Sequence, residues 1–287
     1  MSLVAKSPVM IRKAAHAACR VRPGFAVPFS HEVKNMKKIL PLIAITALLA
    51  SRSGLVLAQT ADDVVEKHLA AIGGREALGK LRSRIVSGSI TLSTPGGDVT
   101  GTIEAYAKAP NKSRGLIKVD LSSFGAGQLV VDQRFDGTSG YVIDTLNGNR
   151  DITGKQLDIM RSGFFPTPLL KYKESGAKVE LTGKEKVGSR DAHVLRVTLQ
   201  TGTALKHFID AEDFTLLKTL TMINAPQLGG EVEQTVEFSD YRDVDGVKIP
   251  YKSKSSNSAQ TFTITVTKVE HNTEIDDKSF SKPAAEK

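Results

Sequence analysis

Two kinds of hydrophobic spacing divide the chain after residue 59. Between residues 64 and 72 apolar side chains recur at helical spacing until Gly73 and Gly74 follow, which predicts one N-terminal helix. Thr60 and Asp63 precede this segment with the spacing of a capping box. A second short turn is predicted over residues 76–81. Beyond it the apolar side chains alternate with polar ones, and this period of two predicts β-strands almost to the end of the chain.

The alternating segments are short and are separated by Gly-containing turns, which is typical of successive antiparallel hairpins. Asp245-Gly246 is the strongest of these turn signals. No tandem repeat or linker interrupts the series, so we predict one mainly β domain over residues 59–287. About twelve strands are expected, at residues 86–92, 99–107, 114–121, 128–135, 140–144, 178–186, 192–199, 204–210, 215–223, 231–239, 247–253 and 261–269.

One internal segment, residues 149–175, breaks the β pattern. It is apolar and carries two prolines, Pro166 and Pro168, so we predict two short helices around a kink. Its position between the two sets of strands indicates an insertion that covers them. Its apolar side chains are either a lid that closes over a ligand or permanent core, and composition does not separate these alternatives. The residues concerned are Leu157, Met160, Phe164, Phe165, Leu169 and Leu170.

The first 58 residues have the composition of a leader. Met36–Ala58 has a charged start, an apolar run of about 12 residues and a small-residue site before Gln59, which predicts a signal peptide cleaved between Ala58 and Gln59. Residues 1–35 are then a mis-assigned extension upstream of a start at Met36, the alternative being a mitochondrial presequence. A retained N-terminal anchor is the alternative to cleavage. The interpretation predicts a periplasmic location.

Charge and cysteine usage agree with export. The formal net charge is +8, but nine of the 39 basic residues and one of the 31 acidic residues lie before Gln59. The remaining chain carries 30 of each and is formally neutral, so the electrostatic basis for binding nucleic acid is absent. The single cysteine, Cys19, also lies in the leader, and the remaining chain can fold in an oxidising compartment without mispairing.

The mature chain contains none of the usual catalytic or nucleotide-binding motifs. His193 and His207 fall on neighbouring predicted strands and could approach each other, but no third metal ligand accompanies them. Arg134 is either a solvated strand charge or a group that holds the insertion through a carboxylate or a carbonyl. We therefore expect no metal, no cofactor and no enzymatic activity.

Three short sequence motifs resemble those of a known protein family. They are the hydrophobic-Asp-turn-Leu-x-Lys hairpin at residues 207–218, the Tyr-x-x-x-Asp-Gly strand entry at 239–250 and the ending at 275–283. With the order of helix, strands, insertion and strands, they resemble the bacterial outer-membrane lipoprotein carrier family, the LolA and LolB proteins. The absence of Trp and the Gly73–Glu76 opening indicate a divergent member.

The resemblance implies a fold and a function. The fold is an unclosed antiparallel half-barrel of about 11 strands, with an N-terminal helix and a mid-chain helical lid over a concave apolar face that receives acyl chains. The implied function is a monomeric carrier or binder of lipid or acylated lipoprotein, served by a membrane-bound donor or acceptor protein. Ligand contacts are expected from Leu157, Met160, Phe164, Phe165, Leu169 and Leu170, with Arg134. The alternatives are a periplasmic sensor that binds a partner protein and an exported enzyme.

Overall fold

The computed structural model describes residues 59–94, 97–225 and 230–284. The predicted extension at 1–35 and the predicted signal peptide at 36–58 lie outside the described residues. Within the described ranges, no helix combines the length and the apolar character needed to cross a bilayer. The helices of this part are α1 (Ala61–Ala71), α2 (Gly74–Lys80) and α3 (Gly154–Ser162), with 3-10 turns at Ser122–Phe124, Pro168–Lys171 and Asp277–Phe280.

All strands of the described chain belong to one antiparallel sheet that does not close. Its thirteen strands run in the order β6-β5-β4-β3-β2-β1-β13-β12-β11-β10-β9-β8-β7. Their bounds are β1 (Ser83–Thr94), β2 (Gly97–Lys108), β3 (Lys112–Asp120), β4 (Gln128–Phe135), β5 (Gly140–Asp144), β6 (Arg150–Ile152), β7 (Lys178–Val187), β8 (Arg190–Thr198), β9 (Ala204–Asp210), β10 (Leu216–Ala225), β11 (Gly230–Val244), β12 (Val247–Ser256) and β13 (Thr261–His271).

The chain enters this sheet at its centre. From β1 it runs by successive hairpins to the edge strand β6, and the insertion carries it to the opposite edge strand β7. It then returns by hairpins to β13, which pairs with β1 from Arg84 opposite His271 to Ser93 opposite Thr261. The open, mainly β architecture predicted from the sequence is confirmed, with thirteen strands where the resemblance implied about eleven.

Helix α1 begins and ends as its sequence predicts. The Thr60 hydroxyl accepts a hydrogen bond from the Asp63 backbone N–H (3.1 Å), and the Asp63 carboxylate accepts one from the Thr60 N–H (3.0 Å). Gly73 ends the helix with φ 126°, and a Cβ there would lie 2.5 Å from the Gly246 carbonyl oxygen. A glycine is therefore required where the end of α1 meets the β11–β12 turn.

Helices α1 and α2 pack on one side of the sheet, which we call the inner face. Val64, Val65 and Leu69 of α1 are completely buried there against Leu195 and Ile209 of β8 and β9. The side chains that alternate with the inner ones point to the outer face.

Candidate functional site

The inner face is filled under α1 and α2, where the apolar side chains of the core are at most 8% exposed. The buried strand residues of this filled region are Leu195, Val197, Ile209, Val247 and Ile249, and Leu199 directly follows β8. A second, smaller buried cluster consists of Ile90, Val99 and Val119 on β1, β2 and β3.

Much of the inner face outside these clusters is only partly covered. Here the strands present apolar side chains that are half-buried, although the ladder registers place them on the same face as the filled region. An apolar surface of this kind is uncommon on a soluble domain unless something else covers it. The residues are Val86, Ile103, Ile117, Val131, Ile223, Val232, Val236, Phe238, Ile264 and Val266.

Helix α3 crosses this open region. Lys155 Nζ lies 2.5 Å from Glu231 Oε1 on β11, and the neighbouring Gln156 donates to Gln133 Oε1 on β4 (3.2 Å). β4 and β11 are six strand spacings apart in the sheet, or about 29 Å if it were flat, yet two consecutive residues reach both. The sheet is therefore strongly curved, and α3 bridges its two arms, one of which contains β4 and the other β11.

The apolar side chains of α3 are only half-buried, and Ile159 packs against the filled region. No side chain of α3 is fully buried, and Leu157 and Met160 are half-buried. The sulfur of Met160 lies 3.8 Å from Nε2 of Gln133, which is on the inner face of β4. The structure therefore leaves these two predicted ligand contacts half-buried, and their contact with a ligand stays a prediction.

The two phenylalanines that follow α3 occupy different environments. Phe164 lines a cavity of about 240 Å³ beside Asp158 and Leu199 and a second cavity of about 330 Å³ beside Leu81 and Pro110. Phe165 lines the second cavity as well and also packs against the filled core. The composition of the segment left both residues as either lid or core; Phe165 has core contacts, and a lid role for Phe164 stays a prediction.

The last part of the insertion is fixed by burial. Leu169 is 3% exposed and Tyr172 is 7% exposed, and both belong to the core formed with α1. Leu170 is half-buried and packs against the same core. Of the predicted lid residues, Leu169 is thus a core residue in this structure.

Arg134 does not hold the insertion. Its neighbour Gln133 faces inward, so the alternation of β4 directs Arg134 to the outer face, where it donates to the Asp132 carboxylate (2.7 Å) and to the Ser281 carbonyl (3.2 Å). Arg114 donates to the same carboxylate through two bonds of 2.8 Å. Burial raises the pKa of Asp132, but the two guanidiniums outweigh it and hold that pKa below its usual value. This corrects the expectation that Arg134 belongs to a lid or cavity.

The inner face carries a cation that the sequence analysis did not single out. Arg84 of β1 lies over the Phe165 ring, 5.4 Å from its centroid, and its Nε donates to His271 Nε2 (3.1 Å). Nδ1 of His271 lies 3.1 Å from the Asp245 carboxylate, which assigns the ring proton to Nδ1. Burial lowers the pKa of Arg84 to about 10, so the guanidinium stays charged at neutral pH. The alternation of Arg84 with Val86 and Ile90 was the available sequence signal.

Three histidines lie under or on α1, in the filled region. His68 shares a 2.8 Å hydrogen bond with the Phe214 carbonyl through Nδ1, while Nδ1 of His193 and of His207 is buried with no partner among the described residues. Burial lowers the pKa of all three, and that of His207 falls to about 4, with His68 adding to the effect. Across the described ranges, no group of three metal-ligating side chains comes together.

No family model and no curated protein matches the chain. Among solved structures, a LolA superfamily protein from Nitrosomonas europaea is similar at 14% identity and TM-score 0.49, over 78% of this chain and 99% of that one. A putative outer membrane lipoprotein-sorting protein domain from Vibrio parahaemolyticus has 13% identity and TM-score 0.47, over 77% and 95%. A DUF1329 family protein from Desulfovibrio piger has 14% identity and TM-score 0.49, over 77% and 97%. A protein of the LolA superfamily is thus among the solved structures to which this chain is similar.

Proposed function

We propose that this chain is an exported, non-enzymatic binder of acyl chains, and that the ligand lies between the open region of the inner face and α3. One observation carries the proposal, namely a half-buried apolar surface under a helix that has no buried side chain. The export part rests on the signal-peptide pattern of residues 36–58.

The proposed ligand fits the chemistry of this surface. The open region consists of branched aliphatic and phenylalanine side chains, which offer apolar contact and little directional bonding. Burying an acyl chain yields roughly 0.8 kcal/mol per CH₂. A chain of about 16 carbons therefore yields on the order of 12 kcal/mol before the costs of binding are subtracted. Such a site needs no reactive group.

The first test asks what the protein carries. Protein exported from a bacterial host and purified without detergent is expected to release fatty acid, phospholipid or an acylated peptide on extraction, and mass spectrometry identifies which. These products separate free lipid from lipoprotein as the source of the acyl chain. Extracts free of acylated material, together with no uptake of a fluorescent fatty acid, would refute the proposal.

The second test uses two neighbouring residues of β2 on opposite faces. Ile103 is half-buried on the inner face, whereas Thr102 is exposed on the outer face. Ile103→Gln places an amide in the proposed site and is expected to weaken binding of a fluorescent fatty acid about tenfold or more. Thr102→Gln is the matched control and is expected to leave the affinity unchanged. Equal effects of the two substitutions would place the ligand elsewhere.

A further inference from the structure

Arg84 occupies a position that is costly for a cation. It alternates with the apolar inner-face residues Val86 and Ile90 and lies against Phe165 at the junction between α3 and the buried end of the insertion. A desolvated charge is normally paired, because leaving it alone costs several kcal/mol. Among the described residues, however, no carboxylate forms an ion pair with Arg84.

Within the described ranges, the terminal nitrogens of Arg84 also have no hydrogen-bond partner. Its only hydrogen bond to the described residues is the one from Nε to His271. The described side-chain atoms that are buried without a partner are Nδ1 of His193, Nδ1 of His207 and Oγ1 of Thr221. The terminal nitrogens of Arg84 are not among them, so within the described part of the chain they are not fully enclosed.

The contacts around Arg84 fix its direction. His271, whose side chain is 2% exposed, accepts from Nε and is itself tied to Asp245. Phe165 limits the other side of the guanidinium plane. Nε is occupied, so the two terminal amino groups form the open side of the fork, which matches the two oxygens of a carboxylate or phosphate.

We propose that Arg84 is the headgroup receptor of the acyl site, and that the ligand is an anionic amphiphile whose carboxylate or phosphate binds the terminal nitrogens of this guanidinium. The proposal rests on the proposed function and specifies the ligand class. His271 is a positioning residue, since it acts through Arg84. The acyl chain then extends from Arg84 over the half-buried aliphatic side chains of the open region.

The test compares two ligands that differ only at the head. Binding of oleate and of oleyl alcohol is measured by displacement of a fluorescent fatty acid from the exported mature protein. Arg84→Gln is expected to weaken oleate about 10- to 100-fold, as the loss of a charge-assisted hydrogen bond does, and to change oleyl alcohol less than about threefold. Arg84→Lys keeps the charge but loses the two-pronged guanidinium, and its oleate affinity is expected to lie between those of the unsubstituted protein and Arg84→Gln.

Arg242 provides the matched control. Its guanidinium also lies over an aromatic ring, that of Tyr251 at 4.5 Å, but it is 57% exposed and paired with Asp240. Arg242→Gln is expected to change neither affinity. Melting temperatures of all variants separate loss of a contact from loss of the fold.

Five outcomes would overturn the proposal. Equal losses for both ligands in Arg84→Gln would make Arg84 structural, and an unchanged oleate affinity would remove its role. Displacement of oleate by inorganic phosphate alone would identify a site for free anions instead. If the unsubstituted protein bound neither ligand, the proposed function itself would fail, whereas tight binding of oleyl alcohol with no preference for oleate would refute only the role of Arg84.

Discussion

The two ends of the insertion are held to the sheet by different forces. At one end Leu169 and Tyr172 are buried in the core with α1, and the Tyr172 hydroxyl donates to Asp62. At the other end α3 has no fully buried side chain: Ile159 packs half-buried against the same core, and polar contacts near solvent, such as Lys155 with Glu231, join the helix to the sheet. One segment thus combines a buried anchor with a surface-fastened helix.

The two kinds of contact differ in how much they stabilise the structure and in how easily they open. Full burial of a leucine or isoleucine side chain is worth about 1.5–3 kcal/mol, whereas an exposed ion pair is worth about 0–1 kcal/mol. We therefore expect the anchor to open only when the core opens, and α3 to leave the inner face at a lower cost than the anchor. A binding protein that must admit and release an acyl chain needs this combination, because a hinged helix gives access without unfolding the domain.

The largest expected effect comes from truncating the anchor. Leu169→Ala leaves a cavity in the core and is expected to lower the free energy of unfolding by about 2–5 kcal/mol. Leu157→Ala on α3 removes the same atoms from a half-buried position and is expected to cost less than about 1 kcal/mol. Urea unfolding of both variants gives the two values. Similar losses would show that α3 is as firmly packed as the anchor.

Acid should weaken the anchor side before it weakens α3. The anchor packs on α1, beneath which burial, with a contribution from His68, lowers the pKa of His207 from 6.5 to about 4. The unfolded chain binds this proton first, so stability is complete above pH 6.5 and falls as the pH drops toward 4. At 1.36 kcal/mol per pKa unit, His207 alone accounts for roughly 2 kcal/mol between pH 6.5 and pH 5.

Urea unfolding at pH 7 and pH 5 measures this loss. His207→Leu removes the titrating group and is expected to make stability less dependent on pH over this interval. The polar contacts of α3 described above include no histidine, so they should not change over the same range. A variant with the pH dependence of the unsubstituted protein would assign the acid sensitivity to other groups.

The short-range spacing of apolar, polar and turn residues in the sequence predicted most of the fold. Helix α1 with its capping box and twelve of the thirteen strands follow from short-range patterns, because alternation and turn residues act over a few positions. The strand at Arg150–Ile152 was missed because three residues are too short to show a period. The extension of β11 to Val244 was missed because the ladder is interrupted at Asp240, which has φ 54° and no partner on β12.

The site was predicted less well, because tertiary packing decides it. Leu157 and Leu169 have the same side chain in one apolar insertion, and only the position of α1 makes the second a core residue. Arg134 was assigned to the wrong face, although its alternation with Gln133 was visible in the sequence. Arg84 was overlooked because a charge on an inward position becomes unusual only when the absence of a partner is known.

The smallest expected effect concerns the ion pair that joins α3 to the sheet. Lys155 and Glu231 are each about half exposed, at 44% and 48%, so Lys155→Ala is expected to change the free energy of unfolding by less than about 1 kcal/mol. The pair joins α3 to one arm of the sheet, however, and its loss should raise the population in which α3 has left the inner face. Amide hydrogen exchange in α3 is expected to accelerate by up to about fivefold, with no change around Leu169.

Lys80→Ala breaks a similar exposed pair with Glu76 on α2 and should leave exchange in α3 unchanged. High salt should reproduce the effect of Lys155→Ala in the unsubstituted protein, because it screens exposed charges and leaves the buried anchor intact. Equal acceleration of hydrogen exchange at both ends of the insertion would mean that they open together, and the distinction between the buried anchor and α3 would fail.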